Sequence, residues 1–395
     1  MIDFLAVVLM LLLFADCLLK FGINITSRFS LLSKVVHEGS STLITNDINW
    51  MDDNNDFIQN GGGGKISYIE GLWFWVGCKP HFREDANSAG IFLYQSSNLG
   101  SDSWQFVQKV HAFQEGQYGG KNCQIHHHPK FGTIHILCKN RQFFMSNSGV
   151  NGNYTLLPQP HDPSNLRHWH FGGSSTFQEG NNMYYIVSRC DKSNGKCVRS
   201  TRSLFIYKLN ERWTDFALTS LSLDTKVDIS NYRTSNKIIS WTWPGREAPF
   251  IFDRNGFYYL AASETAGWKQ SKTWYRRAAS MDRLANATDI EVEMHPANSK
   301  KVKSMGSQFR FFIKVGEGKW LFGGSRYPVE DPTDYDSKFG RYILSPVSFV
   351  QDIPNVYWKK TSDWVDYDYK SGDYDDHSPP IKEYNSIIAS CSIQF

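Results

Sequence analysis

Residues 248–262 read Ala-Pro-Phe-Ile-Phe, then Asp-Arg-Asn-Gly, then Phe-Tyr-Tyr-Leu-Ala-Ala. Two short aromatic and aliphatic runs flank a four-residue turn that ends in glycine, the pattern of a β-hairpin. The pattern recurs four more times. Lys65–Ile69 and Leu72–Gly77 enclose Glu70-Gly71, and Ile125–Pro129 and Thr133–Cys138 enclose Phe131-Gly132. Ser174–Phe177 and Met183–Ser188 enclose Glu179–Asn182, and Phe309–Val315 and Lys319–Gly323 enclose Gly316–Gly318. The hairpins begin near residues 65, 125, 174, 248 and 309. Intervals of that size fit one four-stranded propeller blade each. Outer strands are predicted at Gly90–Gln95, Gln142–Met145, Leu204–Leu209 and Trp274–Ser280. The predicted fold is all-β, a five-bladed β-propeller over residues 57–365. A pair of sandwiches gives no reason for five similar units.

Composition agrees. Hydrophobic residues make up 41% of the 395, which excludes disorder for most of the chain. Aromatic residues make up 15%, which suits short strands with an aromatic core and also suits a carbohydrate-stacking surface. The core reading is preferred. The net charge of +3 gives no overall field for nucleic acid.

The apolar run Phe4–Phe14 is too short to span a bilayer and fits the core of a secretory signal; the alternative is a signal-anchor extended through Leu19, which would carry Asp16 in or near the bilayer. The signal is placed at residues 1–22, followed by a lead-in over 23–56. An acidic, Tyr-rich tail over 366–395 ends the chain. Secretion, with no membrane span in the mature chain, is the expected destination. Glycosylation sequons begin at Asn24, Asn153 and Asn286. Outside the signal region six cysteines remain, an even number that suits disulfides. Cys190 and Cys197 flank a turn-rich loop and are expected to pair. Cys123 and Cys138 bracket the second hairpin and are expected to do the same. Cys78 with Cys391 follows by elimination only.

Propeller sites form where innermost strands converge, so residues heading each first hairpin are candidates. They are Ile58–Gly64, His126–Lys130, His168–Gly173, Arg246–Pro249 and Gly306–Gln308. Glu247 stands out. A carboxyl there would face the channel, and burial would raise its pKa, the condition for a general acid at a glycosidic oxygen. The alternative is a structural, Arg-paired Glu. The histidines 126, 127, 128, 168 and 170 are read as making ordinary hydrogen bonds, so neither a metal site nor a cofactor is expected.

The run Arg246-Glu247-Ala248-Pro249, with Asn255-Gly256-Phe-Tyr-Tyr-Leu260 and Thr265-Ala-Gly-Trp268, resembles glycoside hydrolase family 43, in particular its exo-β-1,3-galactanase branch. Ile58–Gly64, Leu72–Gly77, Gly306–Gln308, Gly324–Tyr327 and Arg341–Pro346 resemble further motifs of that branch in order. The resemblance implies a five-bladed propeller and inverting removal of β-linked galactose or a related sugar from glycans. It implies Glu247 as catalytic acid and Gln308 as the residue that holds the attacking water. It implies Thr265, Trp268 and Arg326 as substrate-binding positions, and proximity adds Trp241 and Trp243. His127-His128-Pro129-Lys130 stands where the branch has Glu-Arg-Pro-Lys, which makes His127 a candidate base. The branch's Ser-Arg-Asp element is replaced by Phe171–Ser175, without an Asp. A glycan-binding propeller that has lost turnover is therefore the second reading.

Overall fold

The computed structural model describes residues 42–46, 48–58, 61–79, 89–113, 121–160, 169–193, 196–198, 201–217, 239–266, 269–295, 303–326 and 341–363. The signal, most of the lead-in and the acidic tail lie outside these residues.

Strand β1 (Leu43–Thr45) precedes the first blade, which contains β2 (Gly61–Ile69), β3 (Leu72–Lys79), β4 (Gly90–Ser96) and β5 (Gln105–Ala112). The second blade contains β6 (Gln124–His127), β7 (Ile134–Cys138), β8 (Gln142–Ser146) and β9 (Thr155–Leu156). In the third, β10 (Trp169–Glu179) and β11 (Asn182–Ser193) form a long hairpin. β12 (Lys196–Cys197) folds back on β11, and β13 (Ser203–Lys208) and β14 (Ile239–Thr242) complete the sheet. The fourth contains β15 (Arg246–Arg254), β16 (Phe257–Glu264), β17 (Thr273–Ala278) and β18 (Ile290–Glu291). β19 (Glu293–His295) crosses to the fifth blade and pairs in parallel with its outer strand. That blade contains β20 (Gln308–Gly316), β21 (Lys319–Arg326), β22 (Arg341–Val350) and β23 (Ile353–Tyr357), and β24 (Thr361–Asp363) follows it. All five expected hairpins are present at their expected positions, and the fold is the five-bladed β-propeller.

Part of the predicted lead-in closes the ring. β1 pairs antiparallel with β24, Leu43 facing Asp363. The buried Asn46 side chain donates to Leu344 O at 3.0 Å and Lys359 O at 2.8 Å, and accepts from Leu344 N at 2.8 Å. Thr45 N meanwhile donates to Ser101 Oγ at 2.6 Å, so the same segment also holds the first blade.

The aromatic load is core. Trp50, Trp73, Trp75, Trp104, Trp213, Trp243, Trp320 and Trp358 are all buried. Trp75 lies edge-on to Trp50, Trp104 and Tyr342 at 4.1–5.6 Å, joining the first blade to the fifth. Such pairs add about 0.5–1.5 kcal/mol each beyond their buried area. Cys123 and Cys138 form the expected disulfide. Cys190 is also disulfide-bonded, while the Cys197 side chain lies outside the described residues. Cys78 is not the half-cystine that elimination suggests. It is a buried thiol, pushed up to about 12 by desolvation, and Cys391 lies outside the described residues.

Inner strands start with irregular backbone. Register shifts fall between Gly61 and Lys65, Phe171 and Ser174, Glu247 and Phe250, and Phe309 and Phe311. Bulges of this kind bend a strand and re-aim its side chains. The bulge at Glu247 is formed by Ala248, with φ of 50°. A non-glycine residue there costs about 1–3 kcal/mol. Ala248 presses on Gly173 of the neighbouring blade, where an added Cβ would lie 2.6 Å from both Ala248 N and Cα. Only glycine fits. Gly173→Ala should lower stability by about 1–3 kcal/mol through overpacking. Gly316→Ala, whose added carbon would meet only Lys319 atoms at 3.6 Å or more, should stay within about 0.5 kcal/mol of the parent. Equal denaturation midpoints for the two variants would contradict this packing.

The second blade holds two buried, neutral histidines. His126 is lowered to about 3 by burial, then by His135 and Lys65, and its Nε2 lies 2.7 Å from Thr176 Oγ1. His135 is lowered to about 4 by burial and His128. The unfolded chain therefore binds protons that the folded chain refuses. Stability should be full above about pH 6.5 and fall below it, by about 1.4 kcal/mol per pH unit for each histidine. His126→Gln, which keeps a polar group near Thr176, should flatten that decline in urea titrations between about pH 6 and pH 4. An unchanged slope would remove His126 from the acid sensitivity.

Candidate active site

Glu247 occupies the first turn of backbone in β15, between the glycine-rich starts of its neighbours. Among the described residues, Gln308, Ala266 and Arg202 reach its carboxyl. Gln308 Nε2 donates to Oε1 at 2.9 Å, and Ala266 N donates to the same oxygen at 3.2 Å. Arg202 Nη1 faces Oε2 at 3.8 Å, close enough to attract and too far for a hydrogen bond. Oε1 thus accepts two N–H groups, and Arg202 flanks Oε2. The Glu247 side chain is 14% exposed. Gln308, at the start of β20, also approaches Ser263 Oγ at 3.3 Å, and Ser263 Oγ donates to Glu247 O at 3.2 Å. The expected acid and the expected water-holding amide are thus brought together.

The remaining candidates divide. Thr265 N donates to Gly245 O at 2.8 Å, which fixes the loop that delivers the Ala266 N–H. Trp268 lies outside the described residues, as does the side chain of Trp241. Trp243 is 2% exposed, and its Nε1 donates to Asp289 at 2.9 and 3.0 Å. Arg276 also lies over its ring, so Trp243 is a fixed wall of the site and not an open stacking platform. Arg326 is buried at the end of β21, beside Gly306. The sequons at Asn153 and Asn286 are exposed, and Asn24 lies outside the described residues.

His127 is misplaced by its motif. Its Nδ1 lies 3.7 Å from Glu70, in the turn at the far end of β2. Its backbone oxygen accepts from Gln178, six residues along β10 from Gly172. That puts His127 about 15–20 Å down the channel from Glu247, at about 3.3 Å per residue. The residue at the site end of the second blade is Lys121, whose backbone oxygen accepts from Lys139 N at 2.8 Å. The match of His127–Lys130 to Glu-Arg-Pro-Lys was therefore out of register, and His127 leaves the site.

A group of cations converges on Glu247 instead. Burial, then repulsion from Arg310, holds Lys65 well below the ordinary lysine range, and its Nζ donates to Ser174 O at 2.9 Å. Lys139 is lowered to about 8 by burial, with Lys121, Arg202 and Arg310 repelling and Glu247 attracting. Arg310 is lowered to about 10 by burial, opposed by Tyr342 and Glu247, and its Nε donates to Ser325 Oγ at 2.9 Å. Gly172 makes room for Arg202, since an added Cβ would lie 2.3 Å from its Nη1. A closed gap beside the carboxyl, too small to admit a water molecule, lies between Arg202, Leu204, Trp243, Glu247, Pro249 and Ala262. Among the described residues no group of three metal-ligating side chains occurs. Two of these cations leave a trace in the sequence. Lys65 and Arg310 interrupt otherwise apolar inner strands, and buried lysine and arginine are rare without partners.

No protein-family model matches the chain, and no curated protein matches it. Solved structures do. An exo-β-1,3-galactanase from Clostridium thermocellum superposes with a TM-score of 0.60 at 17% identity, covering 84% of this chain and 68% of that one. A β-1,3-galactosidase of glycoside hydrolase family 43, solved with galactodeoxynojirimycin, gives 0.57 at 18% identity, covering 80% and 99%. An exo-β-1,3-galactanase from Phanerochaete chrysosporium, solved with galactose, gives 0.59 at 18% identity, covering 84% and 70%. The chain has the five-bladed propeller fold of these family 43 galactan-degrading enzymes.

Proposed function

We propose that the protein is a secreted glycoside hydrolase that removes a β-linked sugar, galactose or a relative of it, from glycans by inversion. The observation that carries this reading is the pairing of Glu247 with Gln308 at the mouth of the channel. Glu247 delivers its proton to the leaving oxygen. The Gln308 amide oxygen accepts a hydrogen bond from the attacking water and aims it. Inverting pairs are spaced about 6.5–9.5 Å apart so that sugar and water fit between them. Gln308 lies at 2.9 Å from Glu247, so the amide has to swing away from the acid when sugar enters. The exposed sequons at Asn153 and Asn286 support passage through the secretory route. Among the described residues no helix is long and apolar enough to cross a membrane.

The same contact favours a second reading, a glycan-binding propeller without turnover. With Gln308 locked on the acid and His127 at the far end of the channel, the described residues offer no carboxylate base opposite Glu247. A panel of β-galactosides and related glycosides separates the two. On the first reading the parent protein releases a monosaccharide, and Glu247→Gln slows release by about 10²–10⁴-fold without changing the melting temperature. Release at the parental rate by Glu247→Gln would remove Glu247 as acid. Binding by both proteins with no release by either would establish the second reading.

A further inference from the structure

Two of the outermost strands lie bare beside a glycosylation sequon. We propose that N-linked oligosaccharides on Asn153 and Asn286 shield the outer sheet edges of the second and fourth blades and keep the folded propeller from pairing with another copy of itself. This rests on the reading of the chain as a secreted protein and is independent of how the Glu247 site acts.

The second blade ends in β9 and the fourth in β18, and among the described residues no strand pairs with the outer side of either. An outermost strand presents unpaired N–H and C=O groups and is a template for a strand of another chain. Both strands add apolar surface, since Leu156 in β9 is 46% exposed and Ile290 in β18 is 40% exposed. Charge, a common guard of such edges, is scarce there. β9 is Thr-Leu, without a charged residue. In β18 the Glu291 carboxylate is engaged by Lys272 at 2.9 Å. The first blade differs, because its outermost strand β5 carries Lys109. The fifth blade gains β19, with Glu293 and His295, on the outside of β23.

Sequons stand where charge is missing. Asn153-Tyr154-Thr155 runs into β9, and Asn286-Ala287-Thr288 ends just before β18. In both, the asparagine and the threonine are exposed and the backbone beside them is anchored. Tyr154 donates its hydroxyl to Val150 O at 2.9 Å and packs against the core shared by the first two blades. Arg276 Nη1 donates to Ala285 O at 2.7 Å, and Ala287 N donates to O of the buried Leu284 at 3.3 Å. A glycan at either site is rooted within about 15 Å of the apolar side chain it covers, since Leu156 lies three residues and Ile290 four residues along the chain. Its donor is a lipid-diphosphate-linked oligosaccharide of the secretory route. The asparagine Nδ2 attacks the anomeric carbon and an N–C bond forms. The C–O bond to the diphosphate breaks, the lipid diphosphate leaves with the bonding electrons, and one amide proton passes to a base. The hydroxyl residue two positions on completes the acceptor motif.

The test produces the full chain in a secreting eukaryotic cell line and follows its location, its glycans and its self-association. Protein from the medium should carry glycans on both asparagines, read by mass spectrometry after a peptide N-glycosidase has converted each occupied asparagine to aspartate. The same enzyme applied to the folded protein should strengthen self-association about tenfold or more at micromolar concentration, measured by sedimentation equilibrium. That arm needs no variant to fold. Leu156→Lys together with Ile290→Lys should keep the deglycosylated protein monomeric, because an edge lysine does the work of the glycan. Secreted protein with both asparagines bare overturns the proposal and leaves secretion standing. A chain retained in the cytosol with bare asparagines overturns both. Glycans whose removal leaves the protein monomeric, or association that the two lysines do not suppress, overturn the shielding role.

Discussion

Backbone meets backbone where Gly173 of the third blade lies against Ala248 of the fourth. Five sheets converging on one axis leave little room at their inner edges, and here the room is less than one methyl group. The approach fixes the bulge at Ala248, and the bulge sets the direction of Glu247. Gly172 does the same for Arg202 on the opposite side of that junction. Acid and guanidinium therefore hold their positions through packing of the main chain, which is rigid, and not through long side chains searching for each other. The left-handed backbone at Ala248, ahead of a proline that favours extended conformations, is local strain of the kind that surrounding structure has to maintain.

Charge then determines what the site can do. A carboxyl among lysines and arginines is a different object from a carboxyl in an apolar cleft. Its Oε1 is occupied by amide donors, and its Oε2 shares space with Arg202. The inner strands supply the cations, so the field belongs to the scaffold itself. The whole-chain charge of +3 conceals this local concentration. The lowered lysines and arginine near Glu247 and the neutral histidines of the second blade follow from one cause, desolvation by burial, acting on different side chains.

The hairpins were legible because each consists of two apolar runs around a glycine-containing turn, a signal carried within about fifteen residues, on the scale of a hairpin. Glu247 and Gln308 were legible through motif order. His127 was not, because a histidine run before a proline imitates the family's motif while the hairpin turn that follows fixes its true register. The turn at Phe131-Gly132 is the stronger marker, and counting back from it sets Lys121 at the site. The cationic cluster was hidden for another reason. Its members come from the first, second, third and fifth blades, and consecutive members are 18 to 108 residues apart, so no window shows them together. The apolar patterning that identifies strands also hides single charges within them.

The clasp between β1 and β24 has a consequence for synthesis. Asn46 reaches Leu344, 298 residues later in the chain. Each blade can form its own hairpins as it leaves the ribosome, but the first blade waits for the last before its edge is covered. Until residue 363 has emerged, the ring is an open arc with Trp75 lacking its Tyr342 neighbour and two sheet flanks exposed to other chains. Long-range closure of this kind is slow and open to misassembly. The nascent protein thus passes through a stage in which its most aromatic seam faces the compartment, and completion of that seam is the event that separates a folded molecule from a sticky one.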